Sequence, residues 1–249
     1  MRFRPVCFFS TKEGVEIGNG HDTIYHKKKE VGVEQMNWID NGITRFLSRI
    51  ADFMFLNILW IVCSIPIITI GASTTAMYSI MLKLVKNEEG YIVKGFLKAF
   101  KENFKQSTIM WLLYLAIGIL IVVDFRLVWL MNSSVRNVMQ VFLTIMSIFL
   151  ISMGIYGFSL QARYENTIKN TLKNAMILTI AKAPYTLLML VITIAPIIIT
   201  LLTVRTLLLG ILIWLMIGVS VVVWLDSLLL RRVFLIFDEP QEKADSKKA

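Results

Sequence analysis

The chain has 249 residues, of which 56% are hydrophobic and 17% charged, with a mean hydropathy of +0.67. A water-soluble globule needs more polar surface than this composition supplies, so the chain is read as an integral membrane protein. The net charge of +9 calls for no nucleic acid partner, because an excess of Lys and Arg on the cytoplasmic side of a membrane accounts for much of it.

The first 35 residues, "MRFRPVCFFSTKEGVEIGNGHDTIYHKKKEVGVEQ", have neither the apolar core of a signal peptide nor a helical or strand period. Two readings fit: a disordered basic tail, or a leader upstream of a true start at Met36 rather than Met1. The second is favoured, because Val31-Gly32-Val33 can be encoded by codons containing a ribosome-binding AGGAG at a suitable distance. Both histidines, His21 and His26, lie in this leader, so a chain starting at Met36 has none. The two cysteines, Cys7 and Cys63, make no CxxC motif and no disulfide framework.

Apolar runs with few charges follow at 53–70, 110–131, 138–160 and 177–228, the last long enough for two passes of about 20 residues. Each is read as helical, because lipid offers no partner to a free backbone group and barrel strands would alternate in polarity. The number of passes follows from charge. One helix in the first run would put the Lys-rich loop 83–105 outside together with the basic tail, against the positive-inside bias. A hairpin with arms at 53–65 and 73–85 puts 23 of the 26 Lys and Arg inside, leaving only Arg126, Arg136 and Arg205 outside.

The fold class is therefore all-α: a polytopic helical membrane protein with six segments at about 53–65, 73–85, 110–131, 138–160, 177–204 and 206–228. Both ends lie in the cytoplasm. The membrane domain covers 36–231 and a cytoplasmic tail 232–249. Because 53–85 is short for two crossings and a loop, the first hairpin either spans or is re-entrant, with its turn inside the bilayer.

The hairpin turn carries the candidate binding residues Asn57, Trp60, Pro66, Thr69, Gly71, Ser73, Thr74 and Thr75. Pro66 stops the helix ladder, Gly71 tolerates a left-handed backbone, and Ser73, Thr74 or Thr75 can cap the returning helix. A helix N-terminus rich in hydroxyls within the bilayer could receive a polar or anionic solute, as in transporters with discontinuous helices. The simpler reading is a cap and a set of packing residues, and for Asn57 an interhelical hydrogen bond.

At 91–105, Phe96, Phe100 and Phe104 recur every four residues on one face, and Lys94, Lys98, Lys101 and Lys105 form a stripe on the other. This pattern predicts an amphipathic helix lying in the cytoplasmic interface, aromatics among acyl chains and lysines toward anionic headgroups. Docking of a partner is the sharper alternative. The charged residues Asp124, Arg126, Lys182 and Asp226 lie toward the ends of their spans and are read as interface anchors in preference to an ion relay. No His–carboxylate pair, HExxH, GxSxG or glycine-rich phosphate loop is present, so the expectation is no enzyme, no catalytic residue, no cofactor and no metal.

These residues resemble the YesL family of small membrane proteins from Gram-positive bacteria, a family of unknown function. The resemblance rests on Asn57-Ile58-Leu59-Trp60, on Pro66 with Thr69-Ile70-Gly71, on Thr75-Ala76-Met77-Tyr78, on Glu88-Glu89-Gly90, and on Phe100-Lys101-Glu102-Asn103-Phe104-Lys105. It runs from Met36 to the last span; the C-terminal half matches mainly in hydrophobic layout and in Asn174-Ala175. Genes of the family tend to lie near carbohydrate uptake and polysaccharide degradation genes, so the resemblance implies a link to sugar import. Two functions are expected as alternatives. One is a non-catalytic accessory or regulatory component in the cell membrane, working with carbohydrate ABC transporter subunits. The other is a stand-alone carrier or channel for a small polar solute, lined by 66–75.

Overall fold

The computed structural model describes residues 42–86, 88, 91–130 and 133–245. The leader 1–35, the start at Met36 and most of Glu88-Glu89-Gly90 lie outside the described residues. The chain divides into two units, 1–49 and 50–249, and only the start of the first helix is described in the former.

Eight α-helices follow one another with no strand among the described residues. They are α1 (Gly42–Ser64), α2 (Ile70–Val85), α3 (Ile92–Val128), α4 (Ser133–Arg163), α5 (Ile168–Ala181), α6 (Ala183–Leu201), α7 (Val204–Ile213) and α8 (Val219–Asp245). A 3-10 turn, Ile67–Thr69, leads into α2, and a π turn, Trp214–Gly218, joins α7 to α8. Six stretches are long and apolar enough to cross a membrane: Phe46–Ser64, Ile67–Val85, Ile92–Val128, Val135–Arg163, Ala183–Leu201 and Val204–Leu235. The chain is an all-α polytopic membrane protein.

Several boundaries differ from the sequence expectation, each for a local reason. The first hairpin is neither short nor broken inside its arms: two stretches of 19 residues flank Ile65 and Pro66. At about 1.5 Å per residue each measures ~28 Å, close to the ~30 Å of a hydrocarbon core. The expected arms at 53–65 and 73–85 were cut short by charge at Arg49 and Asp52 and by the polar run at Ser73. Neither stops a helix: long side chains at a span's end reach the interface, and Pro66 opens a turn that feeds straight into α2.

The separate interfacial helix at 91–105 and the span at 110–131 are one rod of 37 residues. Nothing between Phe104 and Met110 breaks a helix; only the polarity changes there, and polarity is not a stop signal. The expected segment 177–204 is interrupted instead. Lys182 leaves the helical region at φ −116° and ψ 40°, because Pro184 has no N–H to donate to the Ile180 carbonyl and its ring crowds that carbonyl, so the helix breaks and Pro184 instead sits in the first turn of a new one. The segment 138–160 lengthens to Ser133–Arg163, and the helix expected to end at 228 runs on to Asp245, through most of what was assigned to the tail 232–249.

The core is built around α2. In its membrane stretch 61% of residues are buried, against 11–17% in the other five, so α2 is the most buried of them. It packs on α3, α4 and α8 through Ala72, Ala76, Met77 and Met81, all fully buried. Small residues on this helix let backbones approach, which is how helices gain contact when lipid is as apolar as leucine. Most other large apolar side chains face outward, as expected of helices in lipid.

Candidate functional site

The hairpin turn is tightly held by its own side chains. Thr69 Oγ1 donates to the carbonyls of Cys63 and Pro66, at 2.6 and 2.7 Å. Trp111 Nε1, from α3, donates to the Ile67 carbonyl at 2.8 Å, and Trp60 Nε1 donates to Thr74 Oγ1 at 3.2 Å. Thr75 Oγ1 bonds the Gly71 carbonyl at 3.0 Å and the Ser107 hydroxyl at 2.8 Å. Ser73 is fully buried and its hydroxyl has no hydrogen-bond partner among the described residues.

Two expected roles are corrected here. Ser73, Thr74 and Thr75 do not cap α2, because Thr69 occupies the cap position and the 3-10 turn already occupies the first N–H groups. Gly71 is not a left-handed turn residue, since it lies inside α2. Its role is steric: a Cβ there would sit 2.5 Å from both the Ser107 carbonyl oxygen and Trp111 Cβ, so only glycine admits this α2–α3 crossing.

Ala72 and Ser73 are buried while Thr74 lines a cavity of about 650 Å³ with Tyr78, Trp111 and Tyr114. The rest of that lining is apolar, from α3 and α4, and Gly118 and Gly154 leave open space there. In a Cys63-free background, Ala72→Cys and Ser73→Cys are therefore expected to resist a membrane-impermeant thiol reagent in the folded protein and to react after denaturation. Labelling in the native membrane would mean that water reaches the turn.

Asn57 binds the far end of the chain. Its Nδ2 donates to the carbonyls of Trp214 and Leu215, at 2.9 and 2.8 Å, and its Oδ1 accepts from the Ser220 amide at 3.2 Å. Ser220 Oγ donates to the Phe53 carbonyl at 2.8 Å. The contact falls on the π turn, where backbone groups leave the regular α ladder and a side-chain amide can take their place. Both ends of the Asn57 amide are thus engaged within the protein, as the interhelical reading of this residue requires. A polar layer nearer the basic end is similarly closed: Gln161 on α4 donates to Gln106 and, at 3.4 Å, to Asn103 on α3, and Thr171 on α5 donates to Gln161 Oε1 at 3.3 Å.

Asp226 was expected as an interface anchor and is instead interior, at 1% exposure. Its Oδ2 accepts from Thr193 Oγ1 of α6 at 3.2 Å, the Tyr78 hydroxyl of α2 faces the same carboxyl group, and Oδ1 has no hydrogen-bond partner. No salt bridge to Asp226 occurs among the described residues. Sequence reading missed this residue because its distance from the end of the span suggested an interface, whereas α2 and α6 cover it. Asp124 and Arg126, at the other end of α3, are exposed.

The basic stripe is exposed at Lys94, Lys98, Lys101 and Lys105. The opposite face is only partly covered by the protein, with Val93, Leu97 and Phe104 exposed. Phe96 is fully buried, Gly95 abuts Ile80 of α2, and Phe96, Phe100 and Phe104 stack along the helix with centroids 6.4 and 5.4 Å apart. The part of the face around Phe96 and Ala99 is used inside the protein, because α3 is one rod whose basic end lies against α2. Beside it, Lys83, Lys86, Glu88, Arg163 and Arg231 border a cavity of about 190 Å³. Among the described residues no three His, Cys, Asp or Glu gather as a metal site.

Comparison with known proteins agrees with this layout. Residues 53–125, which hold the hairpin and most of α3, match the model of the family described as "Protein of unknown function, DUF624". The chain is 24% identical over 155 residues to the uncharacterized protein YteU of Bacillus subtilis (strain 168), covering 61% of this chain and 69% of that one. It is also 24% identical over 155 residues to the uncharacterized protein YesL of the same organism, covering 61% of this chain and 73% of that one. No solved structure matches the chain. These similarities agree with the resemblance read from the hairpin and the basic stripe: residues 53–125 match the DUF624 model, and the chain is similar to YteU and YesL.

Proposed function

We propose that the chain is a non-catalytic accessory or regulatory component of the cell membrane that docks on a carbohydrate uptake system through the basic end of α3. The observation that supports this reading is the rigid stripe of Lys94, Lys98, Lys101 and Lys105. A helix of 37 residues at about 1.5 Å per residue is ~55 Å long, well beyond a hydrocarbon core of ~30 Å, so its basic end projects toward the cytoplasm. Phe96 already packs inside the protein, so anchoring in acyl chains is not needed to explain the aromatic face. Lys94 lies over the Tyr91 ring and Lys98 is 3.9 Å from Glu102, both in exposed contacts that carboxylates on the cytoplasmic loops of a permease, or the anionic headgroups around it, can replace.

The carbohydrate part of the reading rests on the gene neighbourhood implied by the resemblance. The non-catalytic part rests on a sequence without nucleophile, metal or phosphate-loop signatures. The cytoplasmic side for both ends rests on the distribution of Lys and Arg.

The test is affinity purification of the full chain from its native membrane in mild detergent, with quantitative mass spectrometry of what accompanies it. Permease subunits of a carbohydrate importer are expected to be enriched. Replacing Lys94, Lys98 and Lys101 together by Gln is expected to lower that enrichment about tenfold, since three rim ion pairs are worth roughly 0.2–1 kcal/mol each. All three side chains are exposed, so helicity by circular dichroism should not change. Unchanged association would rule out the stripe as the docking surface, and a chain that purifies alone would overturn the accessory reading.

A further inference from the structure

We propose that Asp226 is a proton-binding site inside the bundle, whose carboxyl group holds a proton in the conformation described here. The first ground is burial without a counter-ion. Asp226 is 1% exposed, within the stretch Val204–Leu235. An isolated ionised carboxylate in such surroundings is so costly that the group neutralises or finds a cation.

The second ground is its set of neighbours. Helix α2 presents Tyr78, α6 presents the Thr193 hydroxyl, and α4 brings Tyr156, whose hydroxyl pairs with Thr186 at 3.2 Å. On its own helix the next basic residue is Arg231, about 7.5 Å further along at ~1.5 Å per residue, and its guanidinium donates to the Val85 carbonyl. No Lys, Arg or second carboxyl group pairs with Asp226 among the described residues.

The third ground is the oxygen left over. Oδ2 is engaged by Thr193, whereas Oδ1 is buried without a hydrogen-bond partner among the described residues, the Tyr78 hydroxyl being the polar group that faces the carboxyl from α2. The proton sits on Oδ1, the oxygen that no other group occupies, and Oδ2 keeps its bond from Thr193. On release the proton passes to water and leaves a charge between α2, α6 and α8. The ionised form therefore favours an arrangement in which these helices part to admit water or a cation. A proton held here links the packing around α2 to proton availability, which neither docking nor solute passage through the turn requires.

Infrared spectroscopy of the purified full chain in lipid nanodiscs at neutral pH tests this directly. The wild type is expected to show the carbonyl stretch of a protonated carboxylic acid, moved by exchange into heavy water. Asp226→Asn, a neutral isostere of the protonated form, should fold and lack that band. If that variant fails to fold, carboxyl-labelled aspartate in the wild type carries the same readout: the band should move with the isotope. Absence of the band from the folded wild type, its survival in Asp226→Asn, or a band that ignores the aspartate label would each overturn the proposal.

Discussion

Gly71→Leu is expected to destabilise the bundle by about 3 kcal/mol or more, the upper end of what overpacking costs. A Cβ at this position already lies 2.5 Å from a backbone oxygen, that of Ser107, and 2.5 Å from Trp111 Cβ. Neither is the far end of a flexible side chain, so relief requires α2 and α3 to separate. Separation would also stretch the bond between Thr75 and Ser107, at 2.8 Å, and that between Trp111 and the Ile67 carbonyl, at 2.8 Å. Thermal unfolding in detergent, followed by circular dichroism, reads the loss. Gly118→Ala is the matched control, because nothing lies within 4 Å of a Cβ there, and its midpoint should stay at the wild-type value. Equal behaviour of the two variants would mean that the crossing of α2 and α3 is not set by Gly71.

Asn57→Leu should cost about 3 kcal/mol, because it removes three hydrogen bonds at once, each worth ~0.5–1.5 kcal/mol, and leaves buried backbone groups without partners. The carbonyls of Trp214 and Leu215 lose their side-chain donor, and the Ser220 amide loses its acceptor. Asn57→Asp should be nearly as harmful, since a carboxylate keeps the acceptor for Ser220 but offers nothing to the two carbonyls. Volume is not the cause, as leucine fills a similar space. The same melting assay measures both variants. A tolerated Asn57→Leu would show that the π turn holds its shape unaided and would free Asn57 for contact with a solute. A π turn fixed by a side chain from a distant helix is an expected site of strain in an otherwise regular rod.

Particular residues show how much of the site could be read from the chain. The exposed lysine stripe was legible because four lysines at helical spacing define a face wherever the helix lies. What covers the opposite face was not, since an aromatic row packs equally well against acyl chains or against α2, and only the position of Ile80 beside Gly95 decides it. Pro66 was rightly read as the end of a helix, and Thr69 as part of the turn. Gly71 was assigned to backbone freedom because glycine in a turn usually serves that purpose. Its true neighbours, Ser107 and Trp111, are more than 30 positions away in sequence, so their approach left no local signal.

Asp226 illustrates the same limit for charge. Its place in the chain, a few residues before Arg231 and Arg232, suggested a side chain at the interface. Depth along one helix says nothing of what lies beside it, and here Tyr78 and Thr193 close over the group.

The sequence by itself determined the solvent, the all-helical form and the number of spans, but not where each helix begins and ends. Hydropathy and charge add up residue by residue, and lipid allows an apolar run only one backbone form, so these properties need no knowledge of neighbours. Tertiary structure decided which helix became the most buried, which polar groups went inside and what each one meets there. Asn57 and Trp214 lie 157 positions apart, and lipid rewards no apolar face over another. The choice of partner then rests on where a glycine allows approach and where a buried amide or carboxyl group finds its match, and those depend on both surfaces at once.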